Sequence, residues 1–173
     1  EEDCIAFSGN LGYHPNVDAV RFFHREIWPS LRGAHPGLCW KIIGKNPGYV
    51  QAETSSDPAI RLTGPVPDAL DALASAKVCV VPLRSGSGTR FKILEAWAAG
   101  RAVVSTPLGA EGLGATSGRE LLLARDPAEF AAAVGRLLSS PGLRREIAEA
   151  GRRLYCDRYT WPAAWQSLDR LLP

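Results

Sequence analysis

Arg90, Lys92 and Glu95 fall within one short span, directly after Ser85-Gly86-Ser87-Gly88-Thr89. These residue types at this spacing suit a phosphorylated ligand. Two cations within one turn, Arg90 and Lys92, supply charge for phosphate. A carboxylate three residues after Lys92 lies on the same helical face and can accept from ribose hydroxyls. Gly86 and Gly88 let a ligand approach the backbone closely. The N–H groups of the loop and of a following helical turn are free donors, and the helix dipole favours an anion there. A nucleoside diphosphate fits that combination. The bland alternative is a glycine-rich turn with Lys92 and Glu95 as a solvated i,i+3 pair worth roughly 0.2–0.5 kcal/mol. Spacing alone leaves both readings open.

The elements that must position these residues are legible around them. Val78–Val81 is an apolar run long enough for one strand buried on both faces, and Pro82 ends it. Phe91–Ala99 reads as a helix with Phe91, Leu94 and Ala98 on one stripe and Gly100 at the C-cap. Ala102–Ser105 is a second buried strand, so the segment is one βαβ unit. Upstream, Cys4–Ser8 reads as the first strand, followed by a loop with Gly9 and Gly12. A helix opening at Pro15 or Asn16 carries Val17, Val20, Phe23, Ile27 and Leu31 at helical spacing. Cys39–Gly44 and Ile60–Thr63 are further strands. Between them lies a polar, irregular stretch, Lys45–Pro58, with one helical turn after Pro47. Gly64-Pro65-Val66-Pro67 is a rigid turn leading to a helix over Asp68–Ala76.

Downstream, Pro107–Gly118 is a glycine-rich loop and Leu121–Ala124 a final short strand. Asp126-Pro127-Ala128-Glu129 carries an N-cap signature for a helix with Phe130, Val134, Leu137 and Leu138 inward. Ser140-Pro141 opens another with Leu143, Ile147 and Leu154 inward, and Thr160 caps a last one over Trp161–Leu172. Strands alternating with helices predict an α/β fold, a Rossmann-like and mostly parallel sheet with helices on both faces. Ligands of such sheets bind outside the carboxyl ends of the strands. The Gly9 loop, the Gly44 end, the Val66 turn and the Ser85–Arg90 loop all follow strand ends and are expected to share one crevice.

With 173 residues the chain suits one domain with a full core. A net charge of +2 with basic residues spread out argues against nucleic acid as a partner. No apolar run approaches the roughly 20 residues that cross a bilayer, and no signal peptide is visible. The four cysteines (Cys4, Cys39, Cys79 and Cys156) form no C-x-x-C pair and no zinc spacing with His14, His24 or His35. Reduced, buried thiols in a cytoplasmic protein are the expectation. Met is absent altogether, which suggests a segment of a longer protein. The P-loop pattern is absent, and the dinucleotide fingerprint fits poorly, because GSGTRF ends on Phe91 where a third glycine is needed and follows an internal strand.

GSGTRFKILEAWAAGRAVVSTPLGAEGL, residues 86–113, resembles the donor-binding segment of group 1, retaining glycosyltransferases of the GT-B fold. FSGNLGYHPNVDAVRFF looks like that family's first strand, loop and helix, and RLTGPVPDALDALASAKVCVVPL like the stretch before the glycine loop. The likeness covers nearly the whole chain but only the family's C-terminal, nucleotide-sugar-binding half. It implies that the acceptor-binding N-terminal domain lies outside this chain, and that this chain alone binds donor and transfers nothing.

By the resemblance, Gly86 and Ser87 belong to the nucleotide-sugar-binding loop, with Ser87 at a sugar-contacting position, Gly88, Thr89 and Arg90 supply donors to the diphosphate, and Lys92 adds a cation, so that Arg90 and Lys92 stabilise the leaving group without a metal cofactor. Gly9 and Asn10 face the diphosphate, Val66 and Leu70 meet the nucleobase, and Glu95 holds the ribose. The resemblance implies a nucleotide sugar as partner, a role in glycan or surface-polysaccharide synthesis, and a cytoplasmic location with peripheral attachment at the inner membrane face. Two departures stand out. Many relatives carry a Glu eight residues before the helix Glu, where this chain has Ser87, and an Arg and a Lys after the first strand, where it has NLGYHPN with only His14 as a weak substitute. A nucleotide-sugar epimerase of the same architecture and a non-catalytic nucleotide-binding module are the competing readings.

Overall fold

The computed structural model describes residues 2–163 and Trp165. Six strands build one sheet: β1 (Cys4–Ser8), β2 (Cys39–Ile43), β3 (Ile60–Gly64), β4 (Val78–Val81), β5 (Ala102–Ser105) and β6 (Leu122–Leu123). Their order is β3-β2-β1-β4-β5-β6, and every pairing is parallel. All residues of β1, β4 and β5 are buried, as befits strands covered on both faces.

The first helical run has three parts: α1 (His14–Phe22), a π-helical turn (Phe23–Ile27) and α2 (Trp28–Ala34). Pro29 accounts for the interruption. It has no N–H for the carbonyl four residues back, and its ring would press on that carbonyl. The wider turn, in which the Trp28 N–H reaches the Phe23 carbonyl, relieves the crowding. The expected apolar positions Val17, Val20, Phe23, Ile27 and Leu31 are all buried.

The remaining helices are α3 (Gly48–Thr54), α4 (Ala69–Ala74), α5 (Phe91–Ala98), α6 (Pro127–Ser139) and α7 (Pro141–Arg158). The run α1–α2, α3 and α6 pack on one face, and α4, α5 and α7 on the other. Phe23 is the hub of the first face, 4.6 Å from the Trp40 ring and 5.8 Å, edge on, from Phe130. On the second face the Trp97 indole donates to the Glu120 carbonyl at 3.1 Å. There α7 closes onto Trp97 at Gly151, where any side chain would collide with the indole.

Several expectations are corrected. The segment after Pro47 forms α3, seven residues long rather than a single turn. In α5 the core stripe is Ile93, Ala96 and Trp97 with Leu94, while Phe91 is 65% exposed and Ala98 is half-buried. The Phe91–Leu94–Ala98 stripe instead lines a surface groove. In α7 the buried positions are Ile147, Ala150 and Gly151, with Leu143 and Leu154 only partly covered. Cys4 and Cys39 are not free thiols: they form a disulfide. They are register partners at the start of β1 and β2. Of the other two, Cys79 is buried, with its thiol pushed up to about 12 by desolvation, and Cys156 is exposed rather than buried. The Thr160 hydroxyl accepts from the Ala163 N–H as the expected cap, and most of the helix expected over Trp161–Leu172 lies outside the described residues.

Candidate functional site

β1 and β4 are neighbours, but the chain leaves them in opposite directions along the sheet, from β1 to β2 and from β4 to β5. A sheet that reverses its strand order opens a crevice at that point, outside the carboxyl ends of the two strands. The Gly9 loop and the Leu83–Arg90 loop both leave from it.

A cavity of about 160 Å³ lies between them, lined by residues that include Tyr13, Asn16, Ser85–Ser87, Thr89, Arg90 and Lys92. Gly86 (φ 110°) and Gly88 (φ 91°) hold backbone conformations that L side chains rarely adopt. At Gly86 the loop also touches Pro15, where a Cβ would stand 3.3 Å from the proline ring. Arg84 anchors the start of the loop: its guanidinium pairs with Asp18 and lies 4.5 Å over the Phe22 ring, both on α1. No side chain caps the N-terminus of α5. Among the described residues, the N–H groups of 85–90 and of Lys92 have no protein acceptor.

Lys92 and Glu95 form no ion pair with each other, so the solvated i,i+3 pair of the bland reading is absent. The Lys92 amine is tucked against the backbone of Gly9 and the Asn16 side chain, tightly enough that a Cβ at Gly9 would collide with it. It sits 5.2 Å over the Phe7 ring. Among the described residues it donates no hydrogen bond. Burial lowers its pKa to about 8, and Glu95 opposes that shift.

Arg90 is 9% exposed. Its Nη2 donates to Glu111 Oε2 at 2.9 Å, while its Nε has no partner among the described residues. A buried donor left unpaired costs about 1–3 kcal/mol, so the site carries unfilled hydrogen-bonding capacity.

Glu95 turns the other way and accepts from the Ser8 hydroxyl at 3.3 Å. It lines two further hollows. One, about 370 Å³, is bordered by Gly9, Asn10, Gly44 and Val66. The other, about 490 Å³, is bordered by Leu70, Phe91, Leu94, Tyr155 and Tyr159. Gly9 and Gly44 touch through their backbones: at Gly44 (φ 145°) a Cβ would overlap the Gly9 carbonyl. The Gly9 N–H donates to the Ile43 carbonyl at 2.9 Å.

Apart from His14 and from Gly88, which stands exposed, the residues singled out from the sequence each border at least one of three hollows, the largest of which shares Phe91 with the first and Glu95 with the second. The Asn10 side chain is engaged in bracing its own loop, accepting from the Gly12 N–H at 2.9 Å and from Asn46 at 2.8 Å. His14 is exposed and borders none of these hollows. Five participants escaped the sequence reading: Ser8, Asn16, Glu111 and the pair Arg84–Asp18. Ser8 carried a usable signal, a polar residue at the carboxyl end of an apolar strand. Glu111 carried none. The one group of side chains able to gather round a metal ion among the described residues, Glu2 with Cys4 and Cys39, lies at the amino ends of β1 and β2. Its two sulfurs are bonded to each other.

Residues 2–140 match the model of the family described as glycosyl transferases group 1. The chain belongs to that family. Solved structures agree on the fold, GT-B and Rossmann-like. HepE from Anabaena, in complex with UDP and glucose, superposes with a TM-score of 0.78 at 15% identity, over 98% of this chain and 48% of that one. The C-terminal domain of LpcC from Francisella tularensis gives 0.69 at 18% identity, over 91% of this chain and 86% of that one. An uncharacterized 44.6 kDa protein in the cps region of Klebsiella pneumoniae is 26% identical over 135 residues, 73% of this chain and 35% of that protein. The chain thus spans about a third of that relative and about half of HepE. These matches do not favour the epimerase alternative. No helix among the described residues is long and apolar enough to cross a membrane.

Proposed function

We propose that this chain is the donor-binding part of a retaining glycosyltransferase that takes a nucleotide-diphospho-sugar. The observation that carries the reading is the Lys92 amine, desolvated against Gly9 at the strand-order reversal without an acceptor from the described residues. Around it stand the open N–H groups of the loop and Arg90 with its unpaired Nε. Donors fixed in advance around a diphosphate would stabilise the charge that builds as it leaves, without a metal. Glu95 would accept from the ribose, with the base toward Val66 and Leu70. Family membership supports the transferase class, and the UDP and glucose bound by HepE illustrate the donor chemistry.

Acceptor recognition and the rest of the sugar-side chemistry would come from an N-terminal domain, so this chain alone binds donor without transfer. The cps-region relative motivates a role in surface-polysaccharide synthesis with a hexosyl donor, carried out at the cytoplasmic face of the membrane.

Thermal unfolding with UDP, GDP or ADP, without metal, tests the reading. Ligand at one hundred times its dissociation constant adds roughly 2.7 kcal/mol of stability. At this chain length that is a rise of roughly 5–10 °C. One base is expected to give that rise, and Glu95→Ala to remove most of it. No rise with any of the three would overturn the reading.

A further inference from the structure

We infer that Glu111 is the resident counter-ion of Arg90, a carboxylate that holds the guanidinium until an anionic ligand displaces it, and so sets the affinity of the crevice. The inference rests on the nucleotide-diphosphate reading of the site and adds a residue that the reading does not contain. Three observations carry it. Arg90 lines the cavity beneath the glycine loop and is nine-tenths buried. Its Nη2 is taken by Glu111 Oε2 at 2.9 Å while its Nε is buried without a partner. Glu111 itself does not line the cavity, and its side chain is 68% exposed. The pair is therefore asymmetric: one member is fixed in the site and the other reaches in from solvent.

The mounting of Glu111 suits an exchangeable contact. It directly follows a short 3₁₀ turn, Leu108–Ala110. That turn is pinned at its other end, where the Thr106 hydroxyl donates to the Leu83 carbonyl and accepts from the Gly109 N–H. At Gly109 a side chain would collide with Ser105 and Val81. The turn is thus fixed against β4 and β5. Beyond it come Gly112 (φ 82°) and Gly114 (φ 56°), backbone that suits glycine. Releasing Arg90 requires only that an exposed carboxylate swing into water. The carboxylate stays largely hydrated while paired, so solvent screening weakens the contact and leaves it open to displacement by a charged ligand.

Affinity for UDP, GDP, ADP and inorganic pyrophosphate, measured at two salt concentrations for the wild-type protein and Glu111→Gln, tests this. With its competitor neutralised, Arg90 is expected to bind the preferred diphosphate up to about fivefold more tightly. The gain should shrink at high salt. In an Arg90→Ala background, Glu111→Gln should change nothing, because the cycle isolates the pair. Unchanged or weakened binding in Glu111→Gln would overturn the inference, since a residue that merely orients Arg90 costs affinity when altered. An equal gain in the Arg90→Ala background would also overturn it, by reducing the effect to long-range charge. Thermal midpoints without ligand separate misfolding from altered binding. Failure of the wild-type protein to bind any of the four probes would instead sink the donor-site reading, and this inference with it.

Discussion

The helices of this molecule begin in two different ways. At α6 the first turn is closed by its own sequence: Asp126 accepts from the Glu129 N–H at 2.8 Å, and Glu129 accepts from the Arg125 N–H at 2.8 Å. Ser140 opens α7 and Asp68 opens α4 in the same spirit, each accepting from N–H groups of its first turn. At α5 and α1, which start beside the crevice, no side chain caps the N-terminus. A helix end leaves several N–H groups without intrahelical partners, and a soluble protein normally satisfies them with a cap or water. Here α6 and α7, which start away from the crevice, are capped, as is α4, whose Asp68 borders the hollow beside Leu70, while α3 begins without a side-chain cap. The two ends facing the strand-order reversal are left open and supplied with Lys92, Arg90 and two positive-φ glycines. The difference teaches where to look for a ligand: at uncapped ends that also gather cations.

The largest expected effect comes from removing the charge at the open end. Lys92→Met keeps the length and apolar stem but removes the ammonium beside Gly9. If the cation serves a ligand, diphosphate affinity should fall about 10- to 100-fold, the range for a charge-assisted hydrogen bond. Stability without ligand should hold or rise, because a desolvated ammonium with no acceptor among the described residues is exchanged for a neutral side chain. Calorimetric titration with UDP, GDP and ADP beside thermal unfolding reads both. A large loss of stability with unchanged affinity would put Lys92 in the structural class with Asp126 and break the comparison.

Legibility in the sequence follows the same division. Val78–Val81 and Ala102–Ser105 could be read residue for residue, because apolar runs bounded by Pro or a glycine leave little choice. The cap at Asp126 and the helix opening at Ser140 were legible too, since a cap is a local pattern, whereas Asp68 reads as the first helical residue and proves to be the cap. The glycine loop and the residues at the crevice were found through residue types and family resemblance. What Lys92 does there was not, because its direction is set by Gly9 and Phe7, some eighty positions away. The pairing of Cys4 with Cys39 needs the register of two strands, which no local pattern encodes. The π-helical turn hid because apolar spacing survives one widened turn. Helix α3 hid behind its opening Gly48 and the absence of a side-chain cap. Glu111 meets Arg90 only through the packing of two loops.

The pH dependence sharpens the comparison, with a somewhat smaller expected effect. Burial lowers Lys92 from an ordinary 10.5 to about 8. Between those values the unfolded chain holds a proton there that the folded protein does not. Stability contributed by this site therefore rises with pH from about 8 to 10.5. Diphosphate affinity should move the opposite way, falling as pH climbs past about 8, at most tenfold per unit as the ammonium is lost. Lys92→Arg, charged throughout, should flatten the affinity profile. Binding by the wild-type protein that stays level to pH 9.5 would show that the amine is not in contact with the ligand.

The smallest effect probes the capped end. Asp126→Ala removes the acceptor for the Glu129 N–H and should cost about 1 kcal/mol of stability. The group it frees lies at the start of α6, whose neighbours Arg125 and Glu129 border a separate surface hollow and none of those at the crevice. Diphosphate affinity should therefore match the wild type within error once both proteins are fully folded, as expected for distant, independent sites. Urea unfolding gives the first quantity and calorimetric titration the second. If Asp126→Ala also weakened binding severalfold, the open and closed helix ends would be energetically coupled through the sheet. Unsatisfied donors at the crevice would then reflect how the whole fold is strained, and not a local provision for an anion.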